Sequence, residues 1–370
     1  MRKVLIIGGG PSGMALGICL RRAGFTVDLI DEDRAWRPVG AGLSLNGASL
    51  RALERIGVLE RASAAGHVHS AFELRDVSGR LLHRAETPPD PTGIPSGGGI
   101  LRPVLHEILA DETRALGVRV RLGVKLASLR DTGPRVLVHC TDGEQEEYDL
   151  VVGADGLHSQ VRSLLFPHSS KPRFTGQGCW RAVFSRPPEL DCVQMYMDTV
   201  HKAGLNPVSR DEMYMFLLEH VPDNRRMPEE RWVELLARQL EPFGGIWPQL
   251  RASLGARSRI NYRPLETHLL SPPWHRGHVI LIGDAAHATT PHVAYGCGLA
   301  VEDALVLAEE LGREAPLEGT LSRFTERRFE RCRAVVEGSA RLGELELEHA
   351  SLAEHQAVTM TLTRLIAQPI

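Results

Sequence analysis

The chain has 370 residues, of which 43% are hydrophobic and 24% charged, and its formal net charge at neutral pH is −3. This composition is typical of a soluble globular protein, and the length predicts two domains or one domain with a large insertion. The slightly acidic balance gives no basic footprint for nucleic acid, and no apolar run approaches the ~20 residues of a membrane span.

The first predicted elements are a strand, a turn, a helix and a second strand, in the stretch KVLIIGGGPSGMALGICLRRAGFTVDLIDED. Residues 4–7 and 27–30 are apolar runs that predict strands, and the helix between them is expected to end near residue 22. The glycines at positions 8, 10 and 13 match the GxGxxG turn that cradles a pyrophosphate, and Asp31 follows the second strand, where it can accept a ribose hydroxyl. This pattern predicts a dinucleotide site without deciding between NAD and FAD.

The next motif lies in YDLVVGADGLHSQVR, where an apolar strand runs into Asp155 and a predicted helix carries Ser159 and Arg162. Strand character then dominates the runs CWRAVFS, CVQMYMDTV and EMYMFLLEHV, and it is also present earlier, in AFELRDVSGRLLHRAE. We expect these strands to assemble into one sheet that covers the ligand. MPEERWVELLARQLEPF and the tail from residue 317 to residue 370 have helical spacing instead.

The last motif is GHVILIGDAAHATTPHVAYGCG, an apolar strand followed by Asp284 and then by the helical pattern LAVEDALVLAEEL. A helix start offers unpaired N–H groups and the positive end of a dipole. This junction is therefore expected to hold an anion or an electron-rich ring.

Together, the motifs GxGxxG, DGxxSxxR and GDAAHxxxP resemble those of the single-component FAD-dependent aromatic hydroxylases of the para-hydroxybenzoate hydroxylase type. The segments RPVGAGLSLNGASLRALERIG and LRPVLHEIL also match, and the resemblance extends to about residue 311. It implies an α/β fold in which a Rossmann-like FAD-binding domain (1–70, 101–170 and 269–315) is interleaved with a β-sheet substrate domain (71–100 and 171–268), with a C-terminal helical segment (316–370).

The resemblance also implies which residues hold FAD. Arg102 falls where the family has a flavin-contacting arginine, and Asp284 is expected to contact the sugar chain of the cofactor. Asp155 either supports the pocket or simply caps the following helix, and the sequence leaves both roles open. Cys297 is expected to pack at the flavin. The predicted cofactor-binding residues are Gly8, Gly10, Ser12, Gly13, Asp31, Arg37, Ala41, Gly42, Arg102, Val124, Asp155, Asp284, Gly296, Cys297 and Gly298.

The implied reaction is monooxygenation by a flavin. NADH or NADPH reduces the flavin in a transient visit, and reaction with O2 gives a C4a-hydroperoxide that transfers oxygen to an electron-rich ring. A second GxGxxG for a nicotinamide domain does not occur in the sequence, which fits such a visit. The expected substrate is an aromatic or N-heteroaromatic small molecule with an acidic group.

Four residues are predicted to be catalytic. Pro291 matches a family proline whose carbonyl lies near the flavin, and His292 after it is either a base for a substrate proton or packing. Tyr295 stands where many relatives have glutamine, and it either packs on the flavin edge or hydrogen-bonds near it. Tyr214 lies on a strand that is expected to border the cavity.

Other side chains are assigned with open alternatives. Gln194, Tyr196 and Lys202 lie on cavity strands, although alternation places about half of such residues on the wrong face. Arg181 binds either a substrate carboxylate or an acid across the domain interface. His287 is expected to be structural.

Two further functions stay open at this point, namely another FAD oxidoreductase such as a ubiquinone-pathway hydroxylase, and a non-catalytic flavin-binding protein. The intact motif residues argue against loss of the site. The six cysteines form no CxxC pair, so we expect neither a metal site nor a disulfide framework, and reduced thiols in a cytoplasmic protein. The substrate, the choice of NADH or NADPH and the oligomeric state, including a homodimer, are not determined by the sequence.

Overall fold

The computed structural model describes residues 2–36 and 40–370. Its strands are β1 (Lys3–Ile7), β2 (Thr26–Asp31), β3 (Gly42–Asn46), β4 (His67–His69), β5 (Ala71–Arg75), β6 (Leu81–Glu86), β7 (Gly97–Leu101), β8 (Arg119–Leu122), β9 (Leu126–Asp131), β10 (Val136–Cys140), β11 (Gln145–Tyr148), β12 (Leu150–Gly153), β13 (Arg173–Ser185), β14 (Val193–Met197), β15 (Lys202–Pro207), β16 (Glu212–His220), β17 (Arg259–Thr267), β18 (His275–Arg276) and β19 (Val279–Leu281). Its helices are α1 (Pro11–Arg22), α2 (Gly47–Arg55), α3 (Leu59–Ala65), α4 (Arg102–Ala115), α5 (Gln160–Leu165), α6 (Trp232–Gln239), α7 (Trp247–Ala252), α8 (Asp284–His287), α9 (Gly296–Leu311), α10 (Leu317–Leu347) and α11 (Leu352–Ala367), with 3₁₀ turns at Glu229–Arg231 and Pro291–Val293.

The first large sheet has six strands in the order β18-β19-β12-β1-β2-β8. β1 pairs in parallel with β2 and β12, and β12 pairs in parallel with β19. These strands are short apolar runs because a parallel sheet is covered by helices, among them α1, which packs against α9. The strand–turn–helix–strand predicted at the start of the chain is confirmed, and α1 ends at Arg22.

The second large sheet has seven strands in the order β17-β13-β16-β15-β14-β5-β6. The prediction that the strands around residues 71–86 join those after residue 171 in one sheet is therefore confirmed. One face of this sheet packs against α6 and α7, with Trp180, Tyr196 and Trp247 in the shared core. We call this seven-stranded sheet the substrate sheet, in keeping with the role that its position suggests.

A three-stranded sheet, β3-β7-β4, lies between the two large sheets, and β9, β10 and β11 form a further small sheet. Two glycines allow β3 and β7 to approach the substrate sheet closely, because a Cβ on Gly42 would overlap the Tyr214 ring and a Cβ on Gly99 would collide with the Pro207 carbonyl. Since β7 begins at Gly97, the domain boundary predicted between residues 100 and 101 would divide a strand. We propose that the boundary lies before Gly97.

The C-terminal segment is helical, as predicted. The 31-residue helix α10 packs on α9, on β13 and on the Pro291–Val293 turn, and α11 packs on α10 and α2. α10 therefore contacts both the first sheet's helices and the substrate sheet. Within residues 2–36 and 40–370, every helix is too short or too polar to cross a membrane.

Candidate cofactor and substrate site

The three predicted motifs meet at one edge of the first sheet. β1, β12 and β19 are parallel neighbours, and their carboxyl ends lead into the glycine turn, Asp155 and Asp284 respectively. A crevice outside the carboxyl ends of parallel strands is the usual ligand site of such sheets. We call this crevice the strand-end cleft.

The three glycines of the first turn have different geometric roles. Gly8 has φ +110°, and a Cβ there would collide with the carbonyl of Ala154. A Cβ on Gly13 would collide with the Gly8 carbonyl, so any side chain at this position would push α1 away from the turn. Gly10 differs, because its Cβ position faces open space with no atom within 4 Å. The open side of the turn therefore lies at Gly10, where a diphosphate would approach the start of α1.

Asp31 lies beside this turn. Its carboxylate accepts hydrogen bonds from the backbone N–H groups of Gly9, at 2.6 Å, and Asp33, at 2.8 Å. Trp36 packs against the same turn and donates its indole N–H to the Gly9 carbonyl at 2.8 Å. The buried Val124 is tied to the Asp31 carbonyl through its backbone N–H. Arg37, which was also predicted to bind the cofactor, lies outside the described residues.

The side chains of the DGxxSxxR motif form hydrogen bonds within the protein beside the cleft. The Asp155 carboxylate accepts from the Ser159 hydroxyl at 2.5 Å and from the Val161 N–H at 3.0 Å, which is the helix-capping role. Arg162 is buried and donates to the carbonyl oxygens of Ala285 and Leu157, at 2.9 and 2.6 Å. Arg162 of the DGxxSxxR motif is thus hydrogen-bonded to the GDAAH segment. A direct contact of Asp155 with a cofactor stays a proposal.

Asp284 and Arg102 lie near enough in the strand-end cleft for their charges to interact. Asp284 is exposed to the cleft, although the enclosing protein is close enough to raise its pKa by desolvation, an effect that Arg102 opposes. Burial raises the pKa of the nearby Cys297 thiol to about 11, again against the charge of Arg102. The backbone N–H of Arg102 also donates to the carbonyl of the buried Ala41, at 3.2 Å. Arg102, Asp284, Cys297 and Ala41 are therefore brought together.

Helix α9 points its first turn into the same region. It begins at Gly296, three residues before the helical pattern LAVEDALVLAEEL, and its first turn holds no acidic residue and no side-chain cap. A Cβ on Gly298 would collide with the Tyr295 ring and crowd the Ser49 hydroxyl, so glycine allows α9 to pack on α2. The N–H groups of this first turn have no partner within the helix and can serve a ligand.

The geometry of Tyr295 does not favour the catalytic role predicted for it. Its side chain is fully buried, and its hydroxyl hydrogen-bonds with Glu302 and, at 3.0 Å, with Arg331. Burial and then the charge of Glu302 raise the pKa of this phenol. Because the hydroxyl is engaged between α9 and α10, we propose that Tyr295 is a packing residue.

His292 is held in a similar way. Its side chain is 0% exposed, its Nδ1 lies 2.8 Å from the Thr290 hydroxyl and its Nε2 lies 3.3 Å from Glu346 Oε2. Burial lowers the pKa of this imidazole, although Glu346 opposes the shift. Of the two roles that the sequence left open, this geometry favours packing over direct proton abstraction. Pro291 begins the 3₁₀ turn that carries His292.

The substrate sheet divides its predicted residues between two faces. Tyr214 lies opposite Gly42, on the same face as Arg181. Tyr196 lies on the other face, where it packs edge-on against Trp247 and donates to Gln194 at 2.9 Å. Tyr196 and Gln194 therefore do not border the cleft, and the reason is the register of the strand, which spacing alone does not reveal.

Arg181 lacks the interface acid that was one of its two predicted partners. Within the described ranges no carboxylate forms an ion pair with it, and the group that hydrogen-bonds with it is the Tyr214 phenol. Burial lowers the pKa of Arg263 on the neighbouring strand, and Arg226, Arg102 and Arg181 lower it further. This side of the cleft therefore carries uncompensated positive charge.

Sequence reasoning missed a buried charge network behind the cleft. Asp303 accepts from the Gly283 N–H at 2.8 Å, from His287 Nε2 at 2.6 Å and from Arg328 Nε at 2.8 Å. His287, Asp303 and Cys332 also place three possible metal ligands within 4.8 Å of one another. The guanidinium of Arg328 on Asp303 favours an ion-pair network there over a metal ion. His287 is accordingly structural, as expected.

Several groups around the cleft fit a dinucleotide. Among residues 2–36 and 40–370, the buried Ser12 hydroxyl has no hydrogen-bond partner, no atom fills the space at Gly10, and α1 and α9 both begin without a side-chain cap. A diphosphate suits the start of α1, and an electron-rich ring suits the start of α9. The fold and the site therefore define a dinucleotide-binding protein, of which the FAD-binding oxidoreductases implied by the three motifs are one class.

Comparison with known proteins agrees. A family model described as FAD binding domain matches residues 1–339. A putative FAD-dependent monooxygenase of Bacillus subtilis, YetM, is 31% identical over 96% of this chain and 96% of its own. The 2-heptyl-3-hydroxy-4(1H)-quinolone synthase of Pseudomonas aeruginosa is 32% identical over 93% of this chain and 90% of its own. The crystal structure of HpxO from Klebsiella pneumoniae with FAD and uric acid has the same fold, with a TM-score of 0.84 at 21% identity, covering 99% of this chain and 93% of that chain.

This chain belongs to the family of FAD-dependent monooxygenases. The resemblance drawn from the three motifs is confirmed, and so are the α/β fold and the flavoprotein monooxygenase class.

Proposed function

We propose that this monooxygenase hydroxylates a negatively charged N-heteroaromatic small molecule, with NADH or NADPH as the reductant and O2 as the oxygen source. The observation that carries the proposal is Arg181, a largely enclosed guanidinium that faces the cleft and has no carboxylate partner in the described part of the chain. An enclosed charge without a counterion is costly, and a guanidinium fork matches a carboxylate. The quinolone and the uric acid named for two similar proteins are N-heteroaromatic rings and support the ring class.

FAD would lie along the strand-end cleft. Gly10 and Ser12 would take its diphosphate at the start of α1, Asp31 a ribose hydroxyl, and Asp284 its sugar chain. The first turn of α9 would lie at the flavin ring. Bound FAD supplies the redox chemistry and the oxygen transfer, whereas the protein binds and orients the substrate and excludes water.

Tyr214 and Arg181 would orient the substrate from the sheet side. Burial raises the pKa of Tyr214 to about 12, although Arg181 opposes the shift. The phenol is therefore protonated at neutral pH and acts as a hydrogen-bond donor, not as a base. In this proposal Arg181 binds the acidic group, Tyr214 donates to a ring substituent, and the Pro291 turn closes the opposite side.

The nicotinamide cofactor would be attracted by charge and would need no domain of its own. Arg226 and Arg263 are exposed, and the charges of Arg102 and Arg181 add to theirs at Arg263. Such a field steers polyanions toward a cleft and loses strength with added salt. This supports a transient visit by NADH or NADPH.

The direct test is a screen of quinoline, quinolone and hydroxypyridine carboxylic acids, each paired with its uncharged amide. We expect an acid to accelerate NAD(P)H oxidation and to gain one oxygen atom by mass spectrometry, whereas its amide does not. Uncharged rings that are hydroxylated as efficiently as the acids would contradict the role of Arg181.

The matched variants are Arg181→Met and Arg181→Lys, with Arg238→Met as the control because Arg238 is exposed on α6. Loss of a hydrogen bond to a charged group costs about 1.5–3 kcal/mol, so we expect Arg181→Met to raise KM for the acid by about 10- to 100-fold at unchanged FAD content. Arg181→Lys should recover part of this loss. Equal KM values in Arg181→Met and in the control would refute the assignment.

A further inference from the structure

A buried polar cluster joins the flavin side of the protein to the substrate sheet. Its centre is Glu346 on α10, which accepts from Lys202 Nζ at 2.6 Å and from Gln177 Nε2 at 2.8 Å. The third neighbour is His292, whose Nε2 lies 3.3 Å from Glu346 Oε2. Lys202 and Gln177 belong to β15 and β13 of the substrate sheet, and His292 belongs to the Pro291–Val293 turn. We call Glu346, Lys202, Gln177 and His292 the Glu346 cluster.

The charged side chains of this cluster are mostly buried and lie against oppositely charged partners. The side chains of Glu346 and Lys202 are only 12% and 13% exposed, and that of His292 is 0% exposed. Burial by itself would raise the pKa of Glu346, but Lys202 and then His292 hold this pKa well below its usual range. The buried His355 on α11 and the buried Cys179 thiol on β13 also interact with the charge of Glu346. Further titratable side chains line the same pocket as Glu346 and Lys202, namely Asp198, His201, Glu219, His220 and His349. A single ionised carboxylate thus accepts hydrogen bonds from two strands of the substrate sheet and lies within ion-pair distance of the Pro291–Val293 turn.

Hydrogen bonds also hold the His292 ring on the side away from Glu346. The Ser339 hydroxyl donates to the Thr290 carbonyl at 2.8 Å and also lies 2.8 Å from the Thr290 hydroxyl. Because the single Ser339 proton goes to this carbonyl, the Thr290 hydroxyl donates its own proton to Ser339 and can accept one from His292 Nδ1, which lies 2.8 Å away. The other ring nitrogen, Nε2, faces the negative charge of Glu346. The ring is therefore oriented from both sides.

Two backbone features are consistent with a turn that is held in place by these side chains. Ala294, directly after the turn, has φ +50°, a left-handed conformation that persists only where the surroundings enforce it. Gly343 on α10 leaves the space that the cluster occupies, because a Cβ there would lie 2.6 Å from Gln177 Oε1 and 3.1 Å from His292 Cε1. Helix α10 is thus shaped to receive both side chains.

We propose that Glu346 is a positioning residue that, through His292, fixes the Pro291–Val293 turn beside the flavin and, through Lys202 and Gln177, locks this turn to the substrate sheet. The inference rests on the proposed function in one respect, namely that the turn and the sheet enclose the same substrate. His292 then acts through the turn and does not touch the substrate. Because Arg181 and the FAD contacts lie outside the cluster, breaking it should affect oxygen transfer more than binding.

The variants are Glu346→Gln, Lys202→Met and Gly343→Ala, the last of which crowds His292 without removing a charge. The control is Glu344→Gln, on the same helix, because Glu344 is 47% exposed and pairs only with surface arginines in the described structure. The first readout needs no substrate: histidine NMR titration of the isotopically labelled holoprotein. Since Glu346 raises the pKa of His292, we expect Glu346→Gln to lower it further and Glu344→Gln to leave it unchanged.

The second readout is the visible circular dichroism of bound FAD, which should change in all three cluster variants at unchanged FAD content. The third is coupling with the acid found by the screen: the product formed per NAD(P)H should fall by about 10-fold or more, with hydrogen peroxide in its place and KM within about 2-fold of wild type. Lys202→Arg should restore coupling.

These readouts separate the two hypotheses. If no acid is hydroxylated but the NMR and dichroism changes occur, the proposed substrate class is refuted, whereas the proposal that Glu346 fixes the Pro291–Val293 turn is supported. If Glu346→Gln and Glu344→Gln give the same His292 pKa and the same FAD dichroism, the proposal that Glu346 fixes the turn is refuted. A shifted His292 pKa with normal coupling would refute the positioning role.

Discussion

Gly10 shows how one residue separates folding from ligand binding. Gly8 and Gly13 are required by neighbouring protein atoms, which a side chain at either position would strike. At Gly10 there is no such atom within 4 Å, and its backbone at φ −74° is open to any residue. We therefore propose that the constraint at Gly10 comes from the cofactor and not from the fold.

We predict that Gly10→Val folds normally but loses FAD, because its side chain would fill the diphosphate cradle. The check is the visible flavin absorbance per chain of the purified protein, together with its far-UV circular dichroism. Gly255→Val is the matched control, since Gly255 also faces open space but lies far along the chain from the motifs. Normal FAD content in Gly10→Val would place the diphosphate elsewhere.

Helices α9 and α10 are joined by charges that the solvent hardly reaches. Arg328 on α10 is 1% exposed and donates to Glu302 and Asp303 on α9, each at 2.8 Å. Arg331 adds bonds to Glu302 and to the carbonyl oxygens of Leu365 and Ile366 near the end of α11. This network fixes the long helix relative to α9, and α10 in turn presents Glu346 to the Pro291–Val293 turn.

Arg328→Met should lower the free energy of unfolding by about 3–5 kcal/mol, because it removes the guanidinium that two buried carboxylates share. Arg333→Met on the same helix should change the stability little, since Arg333 pairs with Glu330 and Glu337 at the surface. Urea unfolding at fixed protein and FAD concentrations measures both. A loss in Arg328→Met no larger than that in Arg333→Met would mean that the network does not hold the helices.

For the whole molecule, the same network predicts how stability depends on pH. Burial by itself would raise the pKa of Asp303, but His287 and then Arg328 hold it at about 2. The pKa of His287 is raised well above its ordinary value, against burial, chiefly by Asp303. The pair therefore keeps both charges over a wide range of pH.

The sign of the effect follows from these directions. Asp303 has an ordinary pKa of about 3.9, so its contribution is present above that pH and is lost as the pH falls toward about 2. His287 contributes fully below its ordinary pKa of about 6.5, and that contribution is lost only as the pH rises through its raised value. Between these limits the pair stabilises the fold.

We therefore expect wild type to exceed Asp303→Asn in free energy of unfolding at neutral pH, and this difference to shrink as the pH falls from about 4 to about 2. Urea unfolding at a series of pH values, with both proteins at the same concentration, provides the measurement. A difference that stays constant through this range would show that Asp303 does not keep its charge in the folded state.

The sequence by itself determined the features that depend on neighbours along the chain. The strand, glycine turn and helix at the N-terminus follow from local spacing, because only glycine tolerates the φ of Gly8 and the close approach at Gly13. Parallel strands placed the three motifs at one cleft, because their carboxyl ends share an edge. The family and its cofactor followed from the same local signals.

Only the tertiary structure decided which side chains face the cleft. Alternation along a strand predicts that Tyr196 and Tyr214 each point to one face, but the pairing with neighbouring strands selects the face. It turned Tyr196 toward α6 and α7 and Tyr214 toward β3 on the opposite side of the sheet. Likewise, no sequence pattern predicts that His292 lies beside Glu346, because this contact forms only when α10 packs on the Pro291–Val293 turn. Partners distant in sequence are chosen by packing, and a side chain's chemistry depends on the partner that it receives.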